Sequence, residues 1–429
     1  MTARPLHLTS ARLIDGTGTG LLEGVTVIVE DGHIAGVDAS GAPIPADAAQ
    51  VDLGGRTLMP GLVDAHFHVT AFDMPRAFKG QDAIAPEVRH HLIAAGLRQM
   101  LRMGITTVRD VGAFGDDLLH ARQAVRLGAI LGPRILACGR IVSATSPGGR
   151  HFDGMYREAD GPDEMRKATR EQFRRGADFI KIMTTGARSC ELENSSPLQM
   201  TRPELTTVVE EAHRMGYRVA AHCEGLDGTR LAIEEDVDTI EHGLELGRAP
   251  ELLDELARSM RVLVPTLSCF FHVAENRDER WAPALVELAK RQRDEAHRTI
   301  EAALRAGVPL AMGFDSQPHG QNALELVRMS RAGLTPMQAI VAGTAGSAAA
   351  CGLADHIGSI TPGRVADLVV VDGDPLEDLA LLLDEERIWL VLQAGRAVAG
   401  AGLDSELAGL RLAGSGADPV PALAGRPVS

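Results

Sequence analysis

The stretch MPGLVDAHFH, residues 59–68, carries an apolar run that ends in two histidines, His66 and His68. We interpret it as the first strand of a parallel barrel. Residues two apart on a strand point to the same face, so both imidazoles can reach one cation from the C-terminal end of the strand. Taken alone, the motif is equally consistent with two unrelated histidines at a strand end.

Strands and helices alternate along most of the chain around this stretch. The eight strand candidates are Leu58–His68, Thr106–Val111, Arg134–Cys138, Asp178–Met183, Arg218–Cys223, Thr239–His242, Val262–Leu267 and Pro309–Asp315. Helices are predicted between most of them, such as Pro86–Met103, Pro203–Met215 and Ala282–Ala306, and glycines at 104, 176, 216 and 307 suit the position after a helix. Eight such units predict an α/β protein with a closed (β/α)8 TIM barrel. The alternative is a doubly wound open sheet, which the polar residues recurring at every strand end disfavour.

A small β-sandwich-like domain is predicted from both ends of the chain. Its strand candidates are Ala11–Ile14, Val25–Glu30, His33–Asp38, Asp367–Val371 and Trp389–Gln393, and Asp31-Gly32 is a hairpin signal. The predicted domains are residues 1–57 with 359–402 for the small domain, 58–358 for the barrel and 403–429 for a C-terminal extension rich in Ala, Gly and Pro.

Composition excludes several classes of function. The formal charge of -15 opposes binding to nucleic acid, and the five cysteines show no pattern of a disulfide framework or a structural zinc site. No signal peptide or membrane helix is evident, so we expect a cytoplasmic protein without nucleic-acid or membrane partners. A small-molecule substrate and assembly into a homo-oligomer are expected.

Three further polar residues end predicted barrel strands. His222 ends the fifth strand, His242 the sixth and Asp315 the eighth. The C-terminal ends of barrel strands are where active sites are built, so these side chains should converge with His66 and His68. Imidazoles and a carboxylate suit zinc or a similar divalent metal.

Lys181 lies within an apolar strand, Phe179-Ile180-Lys181-Ile182-Met183, where burying a cation is unfavourable. One interpretation is an ion pair with a neighbouring carboxylate. The other, which we favour in this barrel pattern, is a lysine carboxylated by CO2 that bridges two metals through its new anionic oxygens.

At this point the sequence resembles the amidohydrolase superfamily, over nearly everything from Ala11 to about Val398. The motifs that carry the resemblance are residues 59–68, Ala221-His222, Ile240-Glu241-His242-Gly243, Gly313-Phe314-Asp315 and Gly363-Arg364-Val365-Ala366-Asp367-Leu368. The strand-four lysine is similar to that of the binuclear imidazolonepropionase-related branch, which includes Xaa-Pro and Xaa-Arg dipeptidase-like enzymes and ochratoxinase-like amidases.

The resemblance implies a ligand set and a mechanism. His66, His68 and Asp315 would hold one divalent ion, most simply Zn²⁺, and His222 and His242 the other. Carboxylated Lys181 and a hydroxide would bridge the two ions, and Asp315 would carry the proton to the leaving nitrogen.

Substrate contacts are predicted from two loops and one arginine. Arg150 and His151 follow the third strand, and His319 follows the eighth. Arg150 or Arg188 could meet a substrate carboxylate, although Cys223-Glu224-Gly225 stands where some dipeptidase-like members carry a tyrosine.

The predicted function is hydrolysis of an amide or peptide bond in a small molecule such as an N-acyl amino acid, a dipeptide or an aryl amide. Hydrolysis of a cyclic amide, carbamate or urea is the alternative on the same metal centre. A non-catalytic binding or assembly protein on a barrel scaffold is the third hypothesis.

Overall fold

The computed structural model describes residues 4–46, 48–71, 84–187, 193–275, 281–404 and 418–420. In chain order its strands are β1 (Leu6–Ile14), β2 (Leu21–Glu30), β3 (His33–Asp38), β4 (Ala49–Asp52), β5 (Thr57–Pro60), β6 (Leu62–Phe67), β7 (Ile105–Asp110), β8 (Arg134–Ala137), β9 (Ile141–Ser143), β10 (Tyr156–Glu158), β11 (Ile180–Met183), β12 (Val219–Cys223), β13 (Thr239–His242), β14 (Val262–Val264), β15 (Leu368–Val371), β16 (Ile388–Gln393) and β17 (Arg396–Ala399). The helices are α1 (Pro86–Arg102), α2 (Asp117–Arg126), α3 (Pro147–His151), α4 (Pro162–Arg175), α5 (Arg202–Arg214), α6 (Leu226–Glu234), α7 (Pro250–Ser259), α8 (Leu267–Glu275), α9 (Pro283–Ala306), α10 (Leu324–Arg331), α11 (Pro336–Val341) and α12 (Ser347–Ala350).

The small domain is one eight-stranded sheet with the order β17-β16-β15-β5-β1-β2-β3, and β4 pairs with β1. Its strands come from the N-terminal part of the chain (β1–β5) and from the C-terminal part (β15–β17), as predicted. The β2–β3 hairpin turns at Asp31 and Gly32, whose φ angles of 47° and 80° are the positive values that a tight primed turn requires. Alternate residues such as Leu8, Val27 and Leu390 form the buried core of the sheet.

The barrel consists of two arcs of parallel strands, β6-β7-β8 and β9-β11-β12-β13-β14, with β10 beside β9. Backbone hydrogen bonds join the arcs: Asp178 to Ala137 (2.8 Å), Leu263 to Pro309 (2.9 Å) and Ala65 to Met312 (2.9 Å). The TIM-barrel-like fold with a small β domain from the chain ends is therefore confirmed. The predicted domain boundaries and the homo-oligomer stay predictions.

Three of the predicted barrel strands differ in the structure. Val262–Leu267 is shorter than predicted, because β14 ends at Val264 and Leu267 already begins α8. Leu58–His68 is not one strand but two, because β5 pairs with β15 in the small sheet and the chain crosses to the barrel at Gly61. A Cβ atom at Gly61 would lie 2.2 Å from Thr106 Oγ1, so the crossing requires glycine. Pro309–Asp315 forms only one bridge, at Leu310, instead of a regular strand. The chain passes so close to His66 at Gly313 that a Cβ there would lie 2.6 Å from the His66 Cβ.

Four of the helices, α1, α4, α5 and α9, end one or two residues before a glycine, as predicted. Gly104, Gly176, Gly216 and Gly307 all have positive φ angles, between 75° and 88°. This left-handed conformation closes a helix at little steric cost only when the residue is glycine. None of the described helices combines the length and the apolar composition that crossing a bilayer needs.

Candidate metal centre

The structure brings all six predicted ligand residues to one cavity at the C-terminal ends of the barrel strands. They come from β6, the residue after it, β11, β12, β13 and the 309–315 segment: His66, His68, Lys181, His222, His242 and Asp315. Parallel strands present their carboxyl ends at the same mouth, so residues far apart in sequence meet there.

Asp315 lies opposite His66 and His68, the two histidines at the end of β6. Its Oδ2 is 3.8 Å from His66 Nε2 and its Oδ1 is 3.6 Å from His68 Nε2. The His66 and His242 rings are 4.9 Å apart, and the His222 and His242 rings are 4.5 Å apart. Such spacing lets neighbouring side chains share one cation or two adjacent cations.

Lys181 extends into the same cavity from β11, and its residue surface is only 2% exposed. Within the described residues its Nζ has no hydrogen-bond partner. Burial lowers the pKa of Lys181, which favours the neutral amine. The charges of Glu241 and Asp315 oppose this lowering, but among the described residues neither carboxylate hydrogen-bonds to Lys181 Nζ. A neutral amine is the form that can add CO2.

Each histidine uses one ring nitrogen for a contact behind the cavity. His66 Nδ1 donates to Glu241 Oε2 (2.7 Å), His68 Nδ1 to the Gly112 carbonyl (2.8 Å) and His222 Nε2 to the Gly186 carbonyl (2.9 Å), and His242 Nδ1 contacts Thr266 Oγ1 (2.6 Å). Such contacts fix the ring orientation and assign the opposite nitrogen to a metal. Cys269, which lies with His242 and Asp315, is a further potential ligand that the sequence analysis did not name.

Glu241 is the buried carboxylate that orients His66. It also accepts hydrogen bonds from Arg109 Nη2 (2.7 Å) and Thr239 Oγ1 (2.5 Å), and it is 0% exposed. Burial lowers the pKa of His66 well below its usual range, so the ring is neutral as a ligand must be. Glu241 lies in one of the motifs that carry the family resemblance, but the motif alone gives neither Glu241 nor Arg109 a role. The spacing of Thr239 and Glu241, two apart on β13, was the available signal.

The backbone is strained at two of the proposed ligands. His242 has φ 68° and Asp315 has φ 39°, in the left-handed region that residues other than glycine rarely adopt. Strain of this kind concentrates at functional sites, where the surrounding structure holds it in place.

The cavity above these residues has a volume of about 190 Å³ and an apolar wall. Aromatic and aliphatic side chains from the segment after β7, from β9, β10 and the residues before β10, and from the end of β11 form this wall: Phe114, Ile141, Phe152, Met155, Tyr156 and Met183. The apolar wall therefore faces the polar ligand set across the cavity.

The predicted substrate-binding residues Arg150, His151 and His319 do not line this cavity. Arg150 and His151 are exposed on α3, and the His151 ring packs 4.6 Å from Phe152, which is part of the apolar wall. His319 Nε2 contacts the Val69 carbonyl at 3.0 Å, and its ring packs edge-on to Phe67 at 5.1 Å, behind the cavity. Arg188 lies outside the described residues.

The donor set fits a pair of divalent cations. It offers four oriented imidazoles and one carboxylate. Lys181 presents a buried amine at the same cavity, with no hydrogen-bond partner in the part of the chain that the structure describes. Nitrogen and oxygen ligands of this kind suit zinc and related metals.

Comparisons with known proteins agree with this geometry. The Amidohydrolase family profile matches residues 57–398. Ochratoxinase of Aspergillus niger is 31% identical over 425 residues, which cover 91% of this chain and 86% of that protein.

Two solved structures have the same architecture. A Xaa-Pro dipeptidase with bound methionine superposes with a TM-score of 0.83 at 29% identity, covering 92% of this chain and 100% of its own. Phenylurea hydrolase B superposes with a TM-score of 0.74 at 27% identity, covering 94% and 98%. The chain belongs to the amidohydrolase family, in the branch that resembles ochratoxinase and Xaa-Pro dipeptidase.

Proposed function

We propose that the protein hydrolyses an amide or peptide bond of a small molecule with an apolar group, using two divalent metal ions, most simply Zn²⁺. The observation that carries this proposal is Lys181, whose buried amine has no hydrogen-bond partner among the described residues and lies at the cavity that four histidines and Asp315 also line. A structural lysine at such a depth would need a compensating carboxylate.

Lys181 becomes a ligand by carboxylation. The neutral amine attacks CO2, a nitrogen–carbon bond forms, and the amine loses a proton, which leaves an anionic carbamate. His66, His68 and Asp315 would hold one ion and His222 and His242 the other, and carboxylated Lys181 would be a ligand of both. When bound, the two ions lower the pKa of water and polarise a carbonyl group.

Asp315 acts as the proton carrier. Its side chain is 17% exposed and lies within 4 Å of both His66 and His68, so its carboxylate reaches both the ligand set and the cavity. In amide hydrolysis it accepts a proton from the attacking water and delivers it to the nitrogen that leaves. Without this delivery, the tetrahedral centre would expel the water oxygen instead of the amine.

The apolar wall selects the part of the substrate that does not react. Phe114, Phe152 and Tyr156 present ring surfaces that favour an aromatic or branched aliphatic group. This aromatic or aliphatic group of the substrate can be attached to either the acyl side or the amine side of the scissile bond. Aromatic N-acyl amino acids, aryl amides and dipeptides fit that description.

Hydrolysis of a cyclic amide, carbamate or urea is the second candidate. The likeness to phenylurea hydrolase B favours it, because that enzyme's name joins an aryl group to a urea. The same ligands and the same proton carrier serve both reactions.

A hydrolysis screen of the zinc-loaded protein tests the proposal. Aromatic N-acyl amino acids, dipeptides, aryl amides and phenylureas are each incubated with the wild type and with Lys181→Ala. We expect product from at least one amide with the wild type and loss of most of it with the variant. A protein that binds two metals yet cleaves none of these classes would support the non-catalytic hypothesis instead.

A further inference from the structure

A cluster of three side chains lies between α1 and α2, and none of its members lines the cavity of the metal centre. His90 comes from the start of α1, and Asp117 and His120 come from the first turn of α2. Each side chain offers one nitrogen or oxygen atom, and these atoms lie within 4.8 Å of one another. Asp117 and His120 are three residues apart on a helix and therefore point to the same side. Two neighbouring helices thus present two imidazoles and one carboxylate to a shared space.

The spacing of these atoms suits a shared ion better than a direct contact. His90 Nε2 is 3.6 Å from Asp117 Oδ1, which is too long for a hydrogen bond. Two ligands on one tetrahedral zinc ion, each bound at about 2.0–2.2 Å, are about 3.4 Å apart. The rings of His90 and His120 are 6.5 Å apart and tilted by 48°, so they do not stack on each other. Small rotations of these surface side chains would bring all three atoms to bonding distance of an ion.

The charges around the cluster moderate its affinity for a cation. Arg89 opposes a cation, with its Nε 3.0 Å from Asp117 Oδ2, but it faces the carboxylate oxygen that is turned away from the histidine of α1. The amino ends of both helices also disfavour a cation. Glu87 lies in the first turn of α1 and offsets part of this effect, and Asp116 pairs with Arg175 at 3.3 Å. We therefore expect this cluster to bind a cation more weakly than the metal centre does.

We propose that His90, Asp117 and His120 bind a further divalent cation of the zinc class, which ties α1 to α2. Two imidazoles with one carboxylate suit zinc, nickel or copper, whereas magnesium and calcium prefer oxygen ligands. The segment that joins β7 to α2 contains Phe114, so an ion at the start of α2 would also hold one edge of the apolar wall. The proposal goes beyond the proposed function and does not rest on it, because none of these ligands belongs to the metal centre.

Zinc uptake by the full-length protein is measured first, by equilibrium dialysis over a series of free Zn²⁺ concentrations and metal analysis. We expect the wild type to bind one more ion per chain than His120→Gln, or to bind that ion at least about tenfold more tightly. Loss of a ligand should cost at least as much as loss of a residue behind one. His120 is exposed, so the substitution leaves the helix packing intact. The comparison between variants does not depend on how many ions the metal centre holds.

Matched variants separate this site from general binding of zinc to surface histidines and acidic residues. His91→Gln removes an exposed histidine of α1 outside the cluster, and it should bind zinc as the wild type does. Arg89→Gln removes the competing cation and should tighten the further ion by up to about fivefold, the size of an exposed ion pair. Arg98→Gln, at an exposed position farther along α1, controls for the change in net charge and should have no such effect.

Amide hydrogen exchange then tests whether the ion ties the two helices. At a Zn²⁺ concentration that fills the site, the first turns of α1 and α2 should exchange more slowly in the wild type than in His120→Gln. An ion that binds only the closed arrangement of the helices opposes their local opening.

The results bear on the site and on the tie separately. Equal zinc uptake and affinity in the wild type and His120→Gln would overturn the site, as would loss of the same ion in His91→Gln. Equal tightening in Arg89→Gln and Arg98→Gln would show attraction by net charge and not by the cluster. Equal hydrogen exchange in the wild type and His120→Gln, with the ion bound in the wild type, would overturn the tie between α1 and α2.

Discussion

Replacing Glu241 by glutamine tests whether the carboxylate behind His66 controls the metal centre. In the folded protein this carboxylate accepts hydrogen bonds from His66 Nδ1, from Arg109 and from Thr239, and all its partners are donors. The glutamine amide has nearly the same shape but presents one NH2 group. That group must face a donor, either the imidazole or the guanidinium, so one hydrogen bond becomes a repulsive contact.

This arrangement predicts the size of two effects of Glu241→Gln, one on metal affinity and one on the free energy of unfolding. Loss of the partner behind a metal-binding histidine typically lowers metal affinity or activity by about 10–100-fold. The Arg109 side chain is 4% exposed, and its charge would lose its buried partner. Breaking a buried pair by removing one member destabilises a protein by about 3–5 kcal/mol. Glu241→Gln should therefore lower both zinc affinity and the free energy of unfolding.

Zinc affinity is measured by competition with a chelator, and the free energy of unfolding by urea denaturation of the zinc-free protein. Glu211→Gln is the matched control, a buried carboxylate on α5 that bonds to Arg170 far from the metal centre. It should leave zinc affinity unchanged. The double variant Arg109→Met with Glu241→Gln should recover part of the stability but not the zinc affinity. Wild-type affinity and stability in Glu241→Gln would refute the reasoning.

Three further outcomes are expected. Asp315→Asn should lower kcat by about 10²–10⁴-fold even at saturating zinc, because the amide cannot accept a proton. If added zinc restores the wild-type kcat, Asp315 is only a metal ligand and not the proton carrier. Lys181→Ala should lose most activity and bind fewer than two ions per chain by metal analysis, and propionate should restore part of the activity. Full activity of Lys181→Ala without propionate would show that Lys181 has only a structural role and is not a metal ligand. Burial raises the pKa of Glu325 from 4.5 to about 7, so the folded state binds this proton more tightly than the unfolded state does. The free energy of unfolding of the wild type relative to Glu325→Gln should therefore fall by about 3 kcal/mol from pH 4.5 to 7, and a flat difference in urea denaturation across that range would contradict the assignment.

The sequence by itself determined the elements whose signals are local. Asp31-Gly32 predicted the hairpin because both positions must take positive φ angles, and the glycines after α1, α4, α5 and α9 marked where those helices end. The strand-end positions of His222 and His242 predicted that they would meet His66, because parallel strands deliver their carboxyl ends to the same mouth of a barrel.

Only the tertiary structure decided which sheet each strand joins and what lies behind the ligands. The run from Leu58 to His68 reads as one apolar strand, yet the pairing of β5 with β15 places its first part in the small sheet. The contact between Arg109 and Glu241 joins residues 132 positions apart, and no periodicity in either strand specifies it. The cavity lined by Glu224, Leu244 and Gln292 likewise exists because α9 packs across the segments after β12 and β13. Local sequence sets backbone conformation and the face that a side chain takes, whereas these contacts arise from closure of the barrel, which brings distant faces together.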